Sequence, residues 1–330
     1  MQTIAIRGSL LSLLLFISAA AHAEWVKRVT DGIMGTRIVV ELWSEDRAKA
    51  DAAIDAVLEE MRHVDDSMST YKPTSEVSQV NAHAAEAPMK ISKELFDLLV
   101  TAKEYSRITD GAFDITYASV GYLYDFRKHV HPNETQIDQA LPAVNYEHVI
   151  LDEKNQTVRF TRKGVRIDLG GIAKGYSVDR GIEVLQKRGF DRAFVSAGGD
   201  SRIIGDRFGK PWMVGIRDPR GPPGSVITRI PLTDAAMSTS GDYERFFEED
   251  GVRFHHIIDP HTGHSASKVR SATIIGPKAV RTDGLSKTAF VLGPEKAMEI
   301  YNRIDDIDAI IVKLDGAVIY SKGLEQLPAK

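Results

Sequence analysis

Residues 165–181 read VRIDLGGIAKGYSVDRG and form the most informative stretch of the chain. The first five residues alternate and predict a short strand that ends near Asp168, after which two glycines allow a close backbone turn. Apolar spacing then predicts a helix over 172–188 that ends at Gly189. This order suits a phosphate group at a helix N-terminus, with Lys174 as a movable countercharge, although an ordinary strand-to-helix connection has the same pattern.

The elements on both sides of this stretch predict an α+β fold. Upstream, residues 33–43 predict a strand, and amphipathic helices follow Ser44 and Ser92. Downstream, short strands and hairpins precede two helices at about 279–292 and 294–303. The hairpins favour antiparallel sheets over a doubly wound parallel sheet. Neither a Walker A ending nor a G-x-G-x-x-G fingerprint is present, which disfavours the standard nucleotide-binding folds.

The first 23 residues have the pattern of a secretory signal peptide. They combine a positive charge at Arg7, an apolar run over 10–17 and the small-x-small site Ala21-His22-Ala23. The sequence therefore predicts cleavage near Ala23, export to the periplasm, and a mature part over 24–330 that forms one domain or two lobes around one cleft. No later stretch approaches the roughly 20 apolar residues of a transmembrane helix, so stable membrane insertion is not expected.

Cysteine content and charge narrow the class of protein further. The chain has no cysteine, so neither a lipid anchor on cysteine nor a disulfide framework is expected. Without the predicted signal peptide it carries 41 basic and 46 acidic residues, a net charge of −5. A mildly acidic chain of this kind is not expected to bind nucleic acid.

Residues 236–263 contain a candidate for proton transfer. His256 has an ordinary pKa near neutrality, and Asp259 can orient its ring or simply cap a turn. A less favoured alternative is a zinc site, formed by His256, Asp259, His261 and His264.

Four further segments carry residues suited to ligand binding. RTDGLSKTAFVLG, residues 281–293, predicts Asp283 at a helix start, where it can cap the helix or bind a hard cation through oxygen. Two polar loops carry Tyr71 and Phe113, which can stack on a planar ring or cover the core. Residues 196–205 place two glycines and an acid between strands. The glycines allow either a close approach of the backbone to a ligand or a tight hairpin.

In this order the motifs resemble those of the FAD:protein FMN transferases, a family of flavin transferases. The match covers nearly the whole mature chain, and the ordered blocks are more specific together than any one alone. The blocks are Met34-Gly35-Thr36, Ser69-Thr70-Tyr71, Gly111-Ala112-Phe113-Asp114, Asp168-Leu169-Gly170-Gly171, Lys174-Gly175-Tyr176, Ala197-Gly198-Gly199-Asp200, Thr239-Ser240-Gly241-Asp242-Tyr243, His256-Ile257-Ile258-Asp259-Pro260 with Thr262-Gly263, and Asp283 ahead of Phe290-Val291-Leu292-Gly293.

The resemblance implies a T-fold-like α+β architecture with antiparallel sheets and FAD in a deep cleft. It also implies that FMN passes from FAD to a threonine or serine hydroxyl of a membrane-linked respiratory or redox protein, and that AMP leaves. His256 and Asp283 would be catalytic, and Mg²⁺ would lie between Asp283 and the segment at Gly171. Contacts to the flavin dinucleotide would come from Met34, Tyr71, Ala112, Phe113, Asp114, Asp168, Lys174 and Ile257.

Lys287 departs from the family pattern. Many members have a threonine four residues after the metal-binding aspartate, and a charged lysine cannot bind magnesium. Either Ser286, Thr288 or water completes the metal shell, or the ammonium supplies positive charge itself. Two other functions would use the same residues: an exported, magnesium-dependent FAD pyrophosphatase that yields FMN and AMP, and a non-catalytic FAD carrier.

Overall fold

A computed structural model describes residues 23–324. The predicted signal peptide therefore lies outside the described residues, except for Ala23. The strands are β1 (Glu24–Ile33), β2 (Thr36–Ser44), β3 (Met89–Lys90), β4 (Val149–Asp152), β5 (Thr157–Phe160), β6 (Ala193–Ala197), β7 (Asp200–Ile204), β8 (Trp212–Arg217), β9 (Val226–Leu232), β10 (Ala236–Gly241), β11 (Phe246–Glu249), β12 (Val252–His255), β13 (Val269–Gly276), β14 (Asp308–Lys313) and β15 (Val318–Tyr320). The α-helices are α1 (Arg47–Met68), α2 (Glu76–His83), α3 (Lys93–Ile108), α4 (Ala118–Gly121), α5 (Glu134–Ala140), α6 (Ala173–Lys187), α7 (Ala279–Leu285), α8 (Thr288–Leu292) and α9 (Pro294–Tyr301).

The largest sheet has eight strands and is antiparallel throughout. Its strand order is β1-β2-β6-β7-β10-β13-β14-β15. Three small antiparallel sheets have the orders β3-β5-β4, β8-β9 and β11-β12. The predicted α+β class with antiparallel sheets is confirmed. The deep cofactor cleft stays a prediction.

Two large hydrophobic clusters stabilise the part of the fold that carries the site. Helix α1 buries its predicted apolar face, including Ile54 and Met61, against α6 and strands β1 and β2. The second cluster surrounds α3 and the segment over 165–173. Met34 is half-buried and packs against both clusters, so it lies where they meet.

The strand predicted over 33–43 is in fact one arm of a hairpin. β1 and β2 are joined by Met34 and Gly35, whose φ angles are both positive, 53° and 65°. Two successive residues of this kind are typical of the type I′ turn, which matches the twist of a hairpin. The sequence conceals β1 because only Val26 and Ile33 of its ten residues are buried.

The prediction of a strand that ends at Asp168 is wrong. Residues 165–169 are extended but join no sheet within the described part of the chain. The Asn81 side chain takes the place of a neighbouring strand, because it accepts from the Ile167 N–H at 2.7 Å and donates to the Ile167 carbonyl at 2.8 Å. The Asp168 N–H donates to the Ile115 carbonyl at 2.9 Å. Alternate residues are nevertheless buried, which explains the strand-like pattern: Val165, Ile167 and Leu169.

Candidate active site

The N-terminus of α6 is the centre of the candidate site. The helix predicted over 172–188 is confirmed as Ala173–Lys187, and Gly189 has a positive φ of 85° just beyond its end. The residue before the helix makes no side-chain cap. Instead, the Gly175 N–H donates to Asp283 Oδ2 at 3.0 Å. A carboxylate at this position is favoured by the helix dipole.

Asp283 lies in the last turn of α7, so the prediction that it starts or caps a helix is wrong. α7 begins four residues earlier, at Ala279. Its first turn is capped from α6, because the Asp179 carboxylate accepts from the Ala279 N–H at 3.0 Å and from the Val280 N–H at 2.9 Å. A cap supplied by another helix leaves no mark in the local sequence.

Helices α6 and α7 approach closely at Gly175. A Cβ atom there would lie 2.2 Å from the carbonyl oxygen of Ala279 and 2.7 Å from the Cβ of Asp283. Glycine permits this contact because it has no side chain. The motif Lys174-Gly175 thus combines a charged side chain with the close helix contact that brings Asp283 to it.

The ammonium of Lys174 lies between two buried carboxylates. Its Nζ donates to Asp200 Oδ2 at 2.5 Å and lies 3.8 Å from Asp283 Oδ2. Burial lowers the pKa of Lys174, but the Asp200 and Asp283 carboxylates outweigh it and raise that pKa above its ordinary value. Burial and then Asp283 raise the pKa of Asp200, against the effect of Lys174. Sequence analysis gave the Asp200 side chain no role of its own, although Asp200 stands in one of the blocks that resemble the family.

Lys287 fills the space between Asp283 and Gly171. Its ammonium donates to the Gly171 carbonyl at 3.0 Å, to the Asp283 carbonyl at 2.7 Å and, in a short contact, to Asp283 Oδ1. Burial raises the pKa of Asp283, but Lys174 and then Lys287 hold it below its ordinary value. The two positions predicted to bind a metal are therefore brought together, with a lysine ammonium between them.

These residues do not fit the magnesium ion that the resemblance implies. The oxygens of Gly171 and Asp283 that would bind it already accept from Lys287. At 4 Å and an effective dielectric constant of 20, a divalent ion and an ammonium repel each other by about 8 kcal/mol. Ser286 is also engaged, because its hydroxyl bonds to Ser240 Oγ at 2.7 Å and to the Asp283 carbonyl at 2.8 Å. Residues 23–324 contain no group of three His, Asp or Glu side chains that could hold a metal.

Asp168 connects the loop that carries Tyr71 to the N-terminus of α6. Its Oδ2 accepts from the Thr70 hydroxyl at 2.9 Å, and its Oδ1 accepts from the Gly170 N–H at 2.6 Å. The neighbouring Tyr71 ring is 83% exposed, so it does not cover the core. Burial, followed by the nearby Asp168 and Tyr71, raises the pKa of Tyr117, which places this second tyrosine beside the loop.

The loop over 111–114 contributes mainly buried side chains. Phe113 is in a hydrophobic cluster, and its Cε2 lies 3.3 Å from where a Cβ at Gly171 would be. Its ring therefore covers the core and also adjoins the glycine pair. Asp114 is buried and accepts three hydrogen bonds from neighbouring turns, and Ala112 is buried as well. Their contacts to a flavin stay predictions.

His256 follows β12 and has a ring nitrogen without a partner. Its Nδ1 is buried and accepts or donates no hydrogen bond within residues 23–324. Burial is the main cause that lowers the pKa of His256 to about 3, and His255, Arg245, Lys174 and Lys287 lower it further. The imidazole is therefore neutral at pH 7, and the charges of both lysines favour that neutral form.

Asp259 caps a turn and does not orient His256. Its Oδ1 accepts from the His261 N–H at 2.9 Å and lies 3.0 Å from His261 Nδ1. His264 pairs with Glu134 at 3.5 Å. Because residues 23–324 contain no group of three such side chains that could hold a metal, the zinc alternative is wrong for the residues it named.

Ile257 is predicted to contact the flavin, but its backbone N–H and carbonyl already have hydrogen-bond partners within the protein. Its side chain is 5% exposed, its N–H donates to His255 Nδ1 at 3.3 Å, and its carbonyl accepts from the Ala266 N–H at 2.8 Å. The contact stays a prediction, as does that of Met34 at the β1–β2 turn.

Arg245 is a candidate site residue that sequence analysis missed. Its carbonyl accepts from the His256 N–H at 3.1 Å, and its guanidinium lies 3.6 Å from where a Cβ at Gly35 would be. The positive charge of Arg245 also lowers the pKa values of Tyr117 and His256. A single arginine at a turn carries no local signature of ligand binding.

Two cavities lie away from these residues. One of about 330 Å³ is lined by Ser119, Tyr122 and Arg162 among others. The other, of about 360 Å³, is lined by residues that include Asp242, His255 and His264. Neither cavity includes a residue predicted to bind FAD. The candidate site is therefore identified by its charged cluster and not by a cavity.

The chain is similar to a family of known proteins over most of its length. Residues 34–311 match the model of the ApbE family. The FAD:protein FMN transferase of Vibrio cholerae is 33% identical over 317 residues, covering 93% of each chain, and that of Klebsiella pneumoniae is 31% identical over 292 residues, covering 88% of this chain and 90% of that one. The crystal structure of the ApbE protein of Thermotoga maritima is 36% identical with a TM-score of 0.84, covering 91% of this chain and 98% of that one. The flavin transferase ApbE of Vibrio cholerae is 30% identical in its solved structure, with a TM-score of 0.79 and the same shares covered.

Proposed function

This chain belongs to the ApbE family and transfers FMN from FAD to a partner protein, and we propose that the charged cluster at the N-terminus of α6 is where it does so. The supporting observation is the convergence of separate segments on one ammonium: Lys174 Nζ lies 2.5 Å from Asp200 and 3.8 Å from Asp283. Buried charges cost free energy unless they are paired, and such clusters are concentrated at functional sites.

The acceptor in this proposal is a threonine or serine hydroxyl of the partner. Its oxygen attacks the phosphorus on the FMN side of the diphosphate and forms a phosphoester bond. The bond from that phosphorus to the bridging oxygen breaks, and AMP leaves with the electron pair. The hydroxyl proton passes to the imidazole of His256, which is neutral because burial lowers its pKa to about 3.

Binding of the diphosphate changes the electrostatic environment of His256. Three of the groups that lower its pKa are the cations Arg245, Lys174 and Lys287. Phosphate oxygens bound among these cations would offset their charge, so the pKa of the imidazole would rise towards its ordinary value. Proton transfer to His256 is thereby favoured when FAD is bound.

The flavin ring is assigned in this proposal to the side of the site that carries Tyr71. The exposed Tyr71 ring is free to stack on a planar ligand, the half-buried Met34 would add apolar surface, and the buried Phe113 ring would support the glycine pair from behind. Asp168, held by Thr70 and the Gly170 N–H, would accept from polar groups of the ligand. Ala112, Asp114 and Ile257 would then shape the pocket through their backbone.

The proposed partner is a membrane-linked respiratory or redox protein, and the proposed location is the periplasm. The signal-peptide pattern of the first 23 residues supports export. In the described residues no helix is long and apolar enough to cross a membrane. The residues present do not fit the magnesium ion implied by the resemblance, and no step above depends on a metal.

Intact mass spectrometry tests the proposal. The protein is incubated with FAD and a domain that bears an acceptor threonine, and the acceptor is weighed while AMP is measured by chromatography. We expect the acceptor to gain one FMN for each AMP released, and an acceptor with valine in place of that threonine to gain none. Unlabelled acceptor after FAD has bound would contradict the proposal.

The same measurement separates the two alternative functions. FMN and AMP released at the same rate without acceptor would indicate a pyrophosphatase, in which water takes the place of the hydroxyl. FAD recovered unchanged with a competent acceptor would indicate a carrier.

A further inference from the structure

We propose that the Lys287 ammonium is a built-in cation that replaces a divalent metal, so that this chain transfers FMN without one. The inference rests on the proposed function, because it concerns the same site. It is carried by the contacts of Lys287 with Gly171 and Asp283, which are the positions where the family resemblance implies magnesium.

The surroundings of Lys287 are those of a cation site. Its acceptors are two backbone carbonyl oxygens and one carboxylate oxygen, and oxygens of these kinds are the ligands of hard cations in proteins. A lysine ammonium has three donors, and here each donor has one acceptor. The side chain is only 16% exposed, and the Asp283 side chain 1%.

Charge balance supports the same reading. Two buried carboxylates, Asp200 and Asp283, face two ammonium groups, Lys174 and Lys287. The cluster is neutral without a metal. Removal of Lys287 alone would leave it one positive charge short and would expose the oxygens of Gly171 and Asp283 to another cation.

The two lysines have different tasks in this arrangement. All three donors of Lys287 are in use, so it is a positioning residue that fixes Asp283 and Gly171 and supplies charge at short range. Among residues 23–324 the Lys174 ammonium donates only to Asp200, so it retains donors for the diphosphate. Lys174 would therefore contact the phosphate oxygens directly.

The test compares the whole protein with its Lys287→Thr variant, which introduces the hydroxyl that many family members have at this position. FMN transfer is measured after chelation with EDTA and again with added Mg²⁺. We expect the unchanged protein to transfer equally, within twofold, under both conditions. We expect the variant to lose on the order of 100-fold with EDTA and to recover with Mg²⁺, because charge at the site is then supplied only by the ion.

A binding measurement without FAD accompanies the activity. Thermal unfolding is followed with and without Mg²⁺ alone, and we expect the metal to raise the unfolding temperature of Lys287→Thr and not that of the unchanged protein. The matched control is Lys93→Thr, since Lys93 also pairs with an aspartate four residues away but is 72% exposed. This control should behave like the unchanged protein in both measurements.

Several results would overturn the inference. The inference fails if EDTA abolishes transfer by the unchanged protein and Mg²⁺ restores it. It also fails if Mg²⁺ raises the unfolding temperature of the unchanged protein. A Lys287→Thr variant that folds but gains no response to Mg²⁺ would also contradict it. If Lys287→Thr does not fold, the response of the unchanged protein to EDTA and Mg²⁺ still tests the inference. If no FMN is transferred at all, the proposed function fails, and the thermal measurement still decides whether the site binds Mg²⁺.

Discussion

Two adjacent histidines show how strongly the surroundings of a single residue decide its role. His255 and His256 each have a buried ring nitrogen without a partner in the described residues, Nε2 and Nδ1 respectively. The other nitrogen of His255 accepts from the Ile257 N–H at 3.3 Å, and its ring packs edge-on against Phe290 with 5.9 Å between centroids. His255 is thus part of the core, whereas the pKa of His256 is lowered by burial and by the charges of Arg245, Lys174 and Lys287.

His256→Gln tests the role of this residue in proton transfer. The change keeps a polar side chain of similar length but removes the basic nitrogen, so we expect transfer to fall by about 10²- to 10⁴-fold while FAD binding is kept. The measurements are intact mass for transfer and flavin fluorescence for binding. His264→Gln is the matched control, since His264 is half exposed and pairs only with Glu134. Transfer within twofold of the original in His256→Gln would rule out the proposed role.

At the scale of elements, the contact between α6 and α7 positions Asp283. Gly175→Ala would place a Cβ atom 2.2 Å from the backbone oxygen of Ala279, which cannot move aside as a side chain can. We expect the free energy of unfolding to fall by about 1–3 kcal/mol, and transfer to fall with it because Asp283 is displaced. Urea denaturation and the transfer assay check this.

Gly181→Ala is the matched control for that prediction. Gly181 lies on the same helix, but its added Cβ would meet side chains at 3.0 Å and 3.3 Å, which can shift. A loss of stability in Gly181→Ala as large as that in Gly175→Ala would show that the backbone contact has no special importance.

The segment over 165–169 depends on one side chain for its hydrogen bonds. Asn81→Ala would leave the N–H and carbonyl of Ile167 without their partner, and Ile167 is fully buried. We expect a loss of about 1–3 kcal/mol in the free energy of unfolding, because unsatisfied buried backbone groups are costly. Asn155→Ala, at an exposed turn, should change it by less than about 0.5 kcal/mol. Equal effects of the two substitutions would contradict the conclusion that the Asn81 side chain replaces the hydrogen bonds of a neighbouring strand.

At the scale of the whole molecule, buried histidines should make unfolding sensitive to acid. Burial lowers the pKa of His255 to about 4, with Arg253 adding to this effect and Asp242 opposing it. Between pH 6.5 and 4 the unfolded chain takes up a proton at this residue and the folded chain does not, so the free energy of unfolding falls as pH falls. The shift corresponds to about 3 kcal/mol over that range.

Urea denaturation at pH 7, 5.5 and 4.5 checks this dependence. His255→Phe removes the titrating group, so its stability should depend less on pH over this range, even if its stability at pH 7 is lower. His264→Phe, at an exposed position, should keep the original dependence. An unchanged slope in His255→Phe would show that other groups cause the acid sensitivity.

Local patterns were sufficient to predict much of the fold. The apolar spacing of α1 and α3 is confirmed, because each of these helices buries one face. β1 was missed because it is an edge strand with few buried residues, and edge strands need little apolar pattern. The strand predicted to end at Asp168 was wrong because alternation in burial does not require a paired strand.

The sequence by itself determined the α+β class, the order of the motifs, the family they indicate and the anomaly at Lys287, since these depend on residue identity and short-range spacing. Only the tertiary structure decided that Asp200 pairs with Lys174, that Asp179 caps α7 and that the Lys287 ammonium occupies the oxygens of Gly171 and Asp283. The reason is physical: these contacts join groups up to 116 residues apart along the chain, and their geometry is set by how helices and sheets pack, which no local pattern encodes.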